Sequence, residues 1–160
     1  MPQKVNQGVE KDNQGVKKDI QGVEQPLLSL LNVVTQRERD ALVAGLERRG
    51  FAGAALPALR LIGEVRTGAR SIQALADATG TTKQFCGREA QRLHKAGYLT
   101  LQPSPDDKRV TLVSLASRGQ KLLGAVADVK SELDKAIVKK LGATDAKAFR
   151  RALERLAAEG

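Results

Sequence analysis

Gly80 lies between two short apolar-striped segments, and it limits how they can be arranged. Before it, Ser71 can cap a stretch in which Ile72, Leu75 and Ala76 share one helical face. After it, Thr81-Thr82 opens a second stretch in which Cys86, Ala90 and Leu93 recur at i, i+4 and i+7. Two short helices joined at a residue that tolerates left-handed backbone read as a helix-turn-helix. Gly97 is a natural stop for the second helix. Tyr98–Gln102 and Arg109–Leu115 then alternate like strands, joined by the polar run Pro103-Ser104-Pro105-Asp106-Asp107-Lys108. A hairpin behind a helix-turn-helix is a β-wing. The predicted fold class is therefore mainly α with a small β-hairpin (α+β), a winged helix-turn-helix over about residues 54–116.

The face of the second helix opposite its apolar stripe carries Gln84, Arg88, Gln91 and Lys95, with Arg92 at the edge. That polarity suits the major groove of duplex DNA. Gln can bond adenine and Arg can bond guanine in bidentate fashion, each pair discriminating by about 1–3 kcal/mol. Thr82, at the helix start, can turn its hydroxyl and the nearby N–H groups to phosphate. Thr82, Lys83, Gln84, Arg88 and Arg92 are the candidate recognition-helix contacts. The formal net charge of +9 favours a polyanionic partner. Aromatics are scarce (Phe51, Phe85, Tyr98 and Phe149), which disfavours the base-stacking platforms of single-strand and RNA readers.

Other chemistries find little support. Cys86 is the one cysteine, so no internal disulfide can form, which fits a reducing cytoplasm. Its place on the apolar stripe makes it a core thiol. The lone His94 has no Cys or carboxylate at ligand spacing, and no phosphate-cradling Gly loop or paired acids suggest an enzyme, a metal or a cofactor. No apolar run approaches the roughly 18 residues needed to cross a bilayer. The expected location is cytoplasmic, on the nucleoid.

Outside the module the chain is mostly helical in pattern. Residues 1–25 hold a seven-residue repeat starting at Gln7, Gln14 and Gln21, with balanced charges. Gly8, Gly15 and Gly22 each cost a helix about 0.8–1 kcal/mol relative to Ala, so a disordered extension is expected there. Residues 27–49 read as helix with an interruption near Thr35, which can cap a second piece. A helix over about 54–66 is expected to bury Leu56, Leu59, Ile62 and Val65, with Pro57 tolerated in its first turn. Beyond the wing, Leu122, Val126, Val129, Leu133 and Ile137 form one long stripe, and Phe149, Leu153 and Leu156 a second. These stripes exceed what a winged-helix core needs to cover, so the segment near 117–158 is expected to pair with a second subunit.

The run from Leu75 to Gly119 resembles the core of MarR-family transcriptional regulators. The resemblance rests on Asp107-x-Arg109, the preceding Pro103-Ser104-Pro105-Asp106, the helix end Leu93…Gly97-Tyr98, and Ser114-Leu115-x-x-Arg118-Gly119. Thr82-Lys83-Gln84 with Gly87 also occurs in one branch of the family. The likeness extends over about residues 36–158 in helix order and frames residues 26–160 as one MarR-like domain. It implies a homodimer bound to a pseudo-palindromic operator in double-stranded DNA, mostly as a repressor, and in many members released by a small-molecule effector. It also implies that the helix near 27–49 joins 117–158 in the dimer interface and that Arg109 enters the minor groove, steadied by Asp107; Lys108 at the wing tip is the expected phosphate contact. Three departures stand out. Glu89 occupies a usually apolar recognition-helix position, Ala116 replaces a capping Thr and leaves Ser117 as a shifted substitute, and the first helix looks broken. The alternative reading is a non-specific architectural or nucleoid protein using the same fold as a basic clamp.

Overall fold

One uninterrupted helix, α1 (Leu27–Arg48), begins the structure, a computed structural model that describes residues 25–158. The expected N-terminal extension, apart from Gln25, lies outside the described residues. The expected break near Thr35 is absent. No Gly or Pro occurs between Leu27 and Ala44, and the polar stretch after Thr35 supports itself through Gln36 Nε2, which donates to Asp40 Oδ1 at 2.8 Å. The β-branched run Val33-Val34-Thr35 lowers propensity only slightly. Within residues 25–35, Leu27, Leu28, Leu30, Val33 and Val34 are exposed.

From Gln36 onward the chain forms a second unit. After α1 come α2 (Leu56–Glu64), β1 (Arg70–Ser71), α3 (Ile72–Thr79), α4 (Lys83–Lys95), β2 (Leu99–Pro103), β3 (Thr111–Leu115), α5 (Ser117–Leu141) and α6 (Ala143–Ala158). The three strands form one antiparallel sheet in the order β1-β3-β2. The expected hairpin is present, with Leu99 opposite Leu115 and Pro103 opposite Thr111. The short β1 was not expected; Arg70 pairs with Val113 and Ser71 with Leu112.

The core gathers one face of each element. Leu42 and Leu46 come from α1, Ala58, Leu61 and Ile62 from α2, Leu75 and Ala76 from α3, and Cys86, Ala90 and Leu93 from α4. Tyr98, Leu99 and Val113 join from the wing, and Leu122, Ala125 and Val129 from α5. The α2 stripe is shifted from its expected register. Ile62 and Val65 are buried as expected, but Leu56 and Leu59 are only half-buried, and Ala58 and Leu61 fill the core in their place. On α5, Leu122 and Val129 are buried while Val126, Leu133 and Ile137 are half-buried. No residue of α6 is buried, and Phe149, Leu153 and Leu156 are exposed. Among the described residues no helix is long and apolar enough to cross a membrane.

Two glycines permit close approaches. A Cβ on Gly45 would meet Val129 Cγ1 at 2.7 Å, so the Val129 side chain of α5 packs directly on the α1 backbone there. Gly119, in the first turn of α5, faces the carbonyl oxygen of Tyr98, where a Cβ has no room. That carbonyl also accepts from the Ala116 N–H at 3.0 Å. The start of α5 takes no side-chain cap: Ala116 is the N-cap residue, and Ser117 does not take over the task. The backbone bond from Ala116 to Tyr98 fixes this helix start instead.

Candidate nucleic-acid interface

The turn before α4 fixes where that helix points. Gly80 adopts left-handed backbone (φ 64°, ψ 34°) and its N–H closes α3 on Ala76 and Asp77 carbonyls. Thr79 is buried beside it, donating through Oγ1 to Leu75 O at 2.7 Å, with Thr81 Oγ1 2.9 Å away. From α2, Arg60 Nη2 donates to Thr79 O at 3.1 Å. Ser71 caps α3, its Oγ accepting from Ala74 N, and Thr82 caps α4, its Oγ1 accepting from Phe85 N at 3.2 Å. Ser71 caps where the sequence placed it, and Thr82 stands at the expected helix start.

Cys86, Ala90 and Leu93 bury one side of α4, so Gln84, Arg88, Gln91 and Lys95 line the exposed opposite side. Thr82 and Lys83 are exposed at the helix start. No carboxylate among the described residues lies within ion-pair distance of Lys83, Arg88 or Lys95. The C-terminal end is pinned by His94. Its Nδ1 lies 2.9 Å from Leu99 O, and because a carbonyl only accepts, Nδ1 is the donor. Burial raises the Cys86 thiol above its ordinary range, which keeps it protonated.

Arg92 is arranged differently from the other expected recognition-helix residues. Phe85, Glu89 and Arg92 follow one another at i, i+4 and i+7 along the flank of α4. Arg92 Nε donates to Glu89 Oε2 at 2.9 Å and Nη2 to Glu89 Oε1 at 2.7 Å. The same Nη2 reaches Gly53 O at 3.4 Å. The bond from Glu89, reinforced by its charge, raises the guanidinium pKa further. The sequence reading missed this arrangement, although the i, i+3 spacing of Glu89 and Arg92 was its visible signal.

In the wing, Ser104 N donates to Val110 O at 2.8 Å and Val110 N to Asp107 O at 2.9 Å, closing the hairpin tip. Asp107 Oδ1 accepts from the backbone N–H of Arg109 at 2.9 Å. The carboxylate therefore steadies the backbone and leaves the guanidinium free to project. Lys108 and Arg109 are exposed, and neither has a carboxylate partner among the described residues. Helix and wing thus present uncompensated cations from two elements of one rigidly packed module.

A family model described as MarR family matches residues 45–110, from the end of α1 to the wing tip. Among solved structures, the apo form of MarR from E. coli is similar with a TM-score of 0.70 at 20% identity, covering 84% of this chain and 98% of that one. YusO from Bacillus subtilis is similar with a TM-score of 0.71 at 15% identity, covering 84% and 94%. A cysteine-to-serine variant of MarR from E. coli complexed with operator DNA has a TM-score of 0.63 at 21% identity, covering 82% and 93%. A comparison with curated proteins finds no significant match. The MarR family's model thus matches the helix-turn-helix and wing, and over most of its length the chain shares the winged-helix fold of MarR and YusO.

Proposed function

We propose that this protein is a sequence-specific regulator of transcription that binds double-stranded DNA as a homodimer, in the manner of a repressor. The observation that carries this reading is the pairing of uncompensated cations on α4 with those on the wing. Gln84 and Arg88 read base edges in the major groove, while Thr82 and Lys83 hold phosphate. Arg109 enters the minor groove, where a narrow A·T-rich tract concentrates negative potential, and Lys108 contacts phosphate beside it. Asp107 holds the wing backbone for that insertion. The MarR variant of the same fold was solved complexed with operator DNA, which supports the same partner here.

The dimer reading rests on the unburied apolar side of α6, where Phe149, Leu153 and Leu156 meet water in the single chain. The effector reading is supported by one cleft of the structure. A cleft of about 630 Å³ has an apolar lining that includes Leu42, Leu59, Phe85 and Leu123, and carries Arg39 and Lys130. It suits a small molecule with an apolar body and a negative group.

The test is fluorescence anisotropy with duplex DNA from upstream of the protein's own gene against a scrambled duplex, at about 150 mM salt. A preference of about 10³ or more, abolished by Gln84→Ala or Arg109→Ala, is the expected outcome. A ratio near one on every duplex selected from a random pool would instead establish an architectural binder.

A further inference from the structure

We propose that Glu89 and Arg92 are positioning residues that set the seat of α4, not contacts to DNA; this rests on the DNA-reading role proposed for that helix. The starting point is where Arg92 is spent. Glu89 offers both carboxylate oxygens to it, at 2.7 and 2.9 Å, and the Glu89 side chain is only 15% exposed. An arginine held in this bidentate fork has its charge neutralised and its plane fixed. It lies on the flank of α4, away from the row formed by Gln84, Arg88, Gln91 and Lys95. A phosphate contact would require it to abandon a well-formed pair.

The other end of the guanidinium meets the connection between α1 and α2, through Gly53 O. That connection is gripped twice. Arg118, in the first turn of α5, donates from Nη2 to Gly50 O at 3.0 Å, and its guanidinium carbon lies 4.9 Å from the Tyr98 ring centre. Phe51, between the two gripped carbonyls, packs 6.5 Å from the same ring, centre to centre. Gly50 and Gly53 both have positive φ, 82° and 77°, so the connection has a backbone shape that other residues rarely adopt. The reading helix and the long helix α5 thus hold one short segment from two sides, by one arginine each. Glu89 keeps the arginine of α4 aimed at it.

The prediction is a loss of discrimination without a loss of general DNA affinity. The probes are a duplex selected from a random pool by the wild-type protein and its scrambled counterpart. Arg92→Gln should weaken binding to the selected duplex about tenfold and leave the scrambled duplex and the salt dependence unchanged. The exchange E89R/R92E restores an ion pair but puts an acceptor where Gly53 O needs a donor, and Arg92→Gln leaves a side chain too short to reach it, so the two should behave alike. Equal weakening on both duplexes, with a salt slope shallower by about one, would make Arg92 a phosphate contact and overturn the proposal. Recovery of wild-type binding by the exchange would also overturn it, because the pair alone would then suffice.

A measurement without DNA separates this proposal from the reading role. Phe51 N donates to Leu46 O at 3.0 Å and Ala54 N to Phe51 O at 3.3 Å. Hydrogen exchange at these two amides should quicken in Arg92→Gln while the buried amides of α3 keep their protection. Unchanged exchange at both refutes the clasp, whatever the duplexes show. If the wild-type protein prefers no duplex, the reading role fails and exchange alone decides the clasp.

Discussion

Replacing Gly119 by Ala should weaken the fold, although Ala is normally the better helix former by about 0.8–1 kcal/mol. The position lies in the first turn of α5, and a Cβ there would run into the backbone carbonyl of Tyr98 and approach Leu115 Cδ2 at 3.1 Å. A carbonyl oxygen cannot swing aside as a side-chain tip can. The helix start must therefore move, which strains the Ala116-to-Tyr98 hydrogen bond of 3.0 Å. Overpacking of this kind costs about 1–3 kcal/mol, and a lost hydrogen bond about 0.5–1.5 kcal/mol. Set against the helix gain, the net destabilisation comes to about 2 kcal/mol. Gly124, five residues on in the same helix, supplies the control, since a Cβ there meets nothing within 4 Å. Gly124→Ala should stabilise by about 0.8–1 kcal/mol. Urea unfolding at one fixed protein concentration reads both, so that any self-association cancels. If the two substitutions stabilise equally, the close approach at Tyr98 is not real and the reasoning fails.

Tyr98→Phe should raise stability by about 1 kcal/mol, because the hydroxyl is buried with no partner among the described residues; a fall in melting temperature would contradict this. Burial raises the Cys86 pKa above its ordinary value of 9.0, so the folded protein holds this proton longer than the unfolded chain. Stability should therefore fall as pH rises past about 9.0, and Cys86→Ala should flatten that decline in pH-dependent urea melts. Leu153→Glu places a charge on the open face of α6 and should shift sedimentation equilibrium from dimer to monomer with the far-ultraviolet spectrum unchanged. Asp107→Ala frees the Arg109 backbone N–H and should reduce affinity for a selected duplex less than Arg109→Ala does, in the same anisotropy assay.

The features that the sequence predicted correctly are the ones whose causes are local. Ser71 caps its helix as expected, and Thr82 begins the next, because a hydroxyl accepting from an N–H three residues on needs no distant partner. Gly80 turns the chain because only its own backbone must comply. Two of the misses have distant causes and two have local ones. Arg70-Ser71 carries no periodicity at two residues and is a strand only because β3 offers Val113 and Leu112. The α2 stripe shifted because Pro57 and Leu56 occupy the first turn, which puts Leu56 at the cleft. Thr35 looked like a cap, but a capping residue stops no helix when nothing after it breaks the turn. Glu89 looked out of place among apolar positions until Arg92 and Gly53 stood beside it. The candidate interface was read from one face of α4 and one hairpin, while the flank that holds α4 in place depends on a contact 39 residues away in sequence.

The two-residue strand β1 has a mechanical consequence. Ser71 pairs with Leu112 in the wing and, through its own hydroxyl, begins α3. Arg70, its neighbour, pairs with Val113 and holds Glu64 of α2 at 2.9 Å. A load on the tip of the wing is therefore carried down β3 into the first turn of α3, and from there across Gly80 to the helix beside it. The sheet acts as a lever with its fulcrum at Val113, which is buried completely. The wing is thereby tied through β1 to α3 and, across Gly80, to α4.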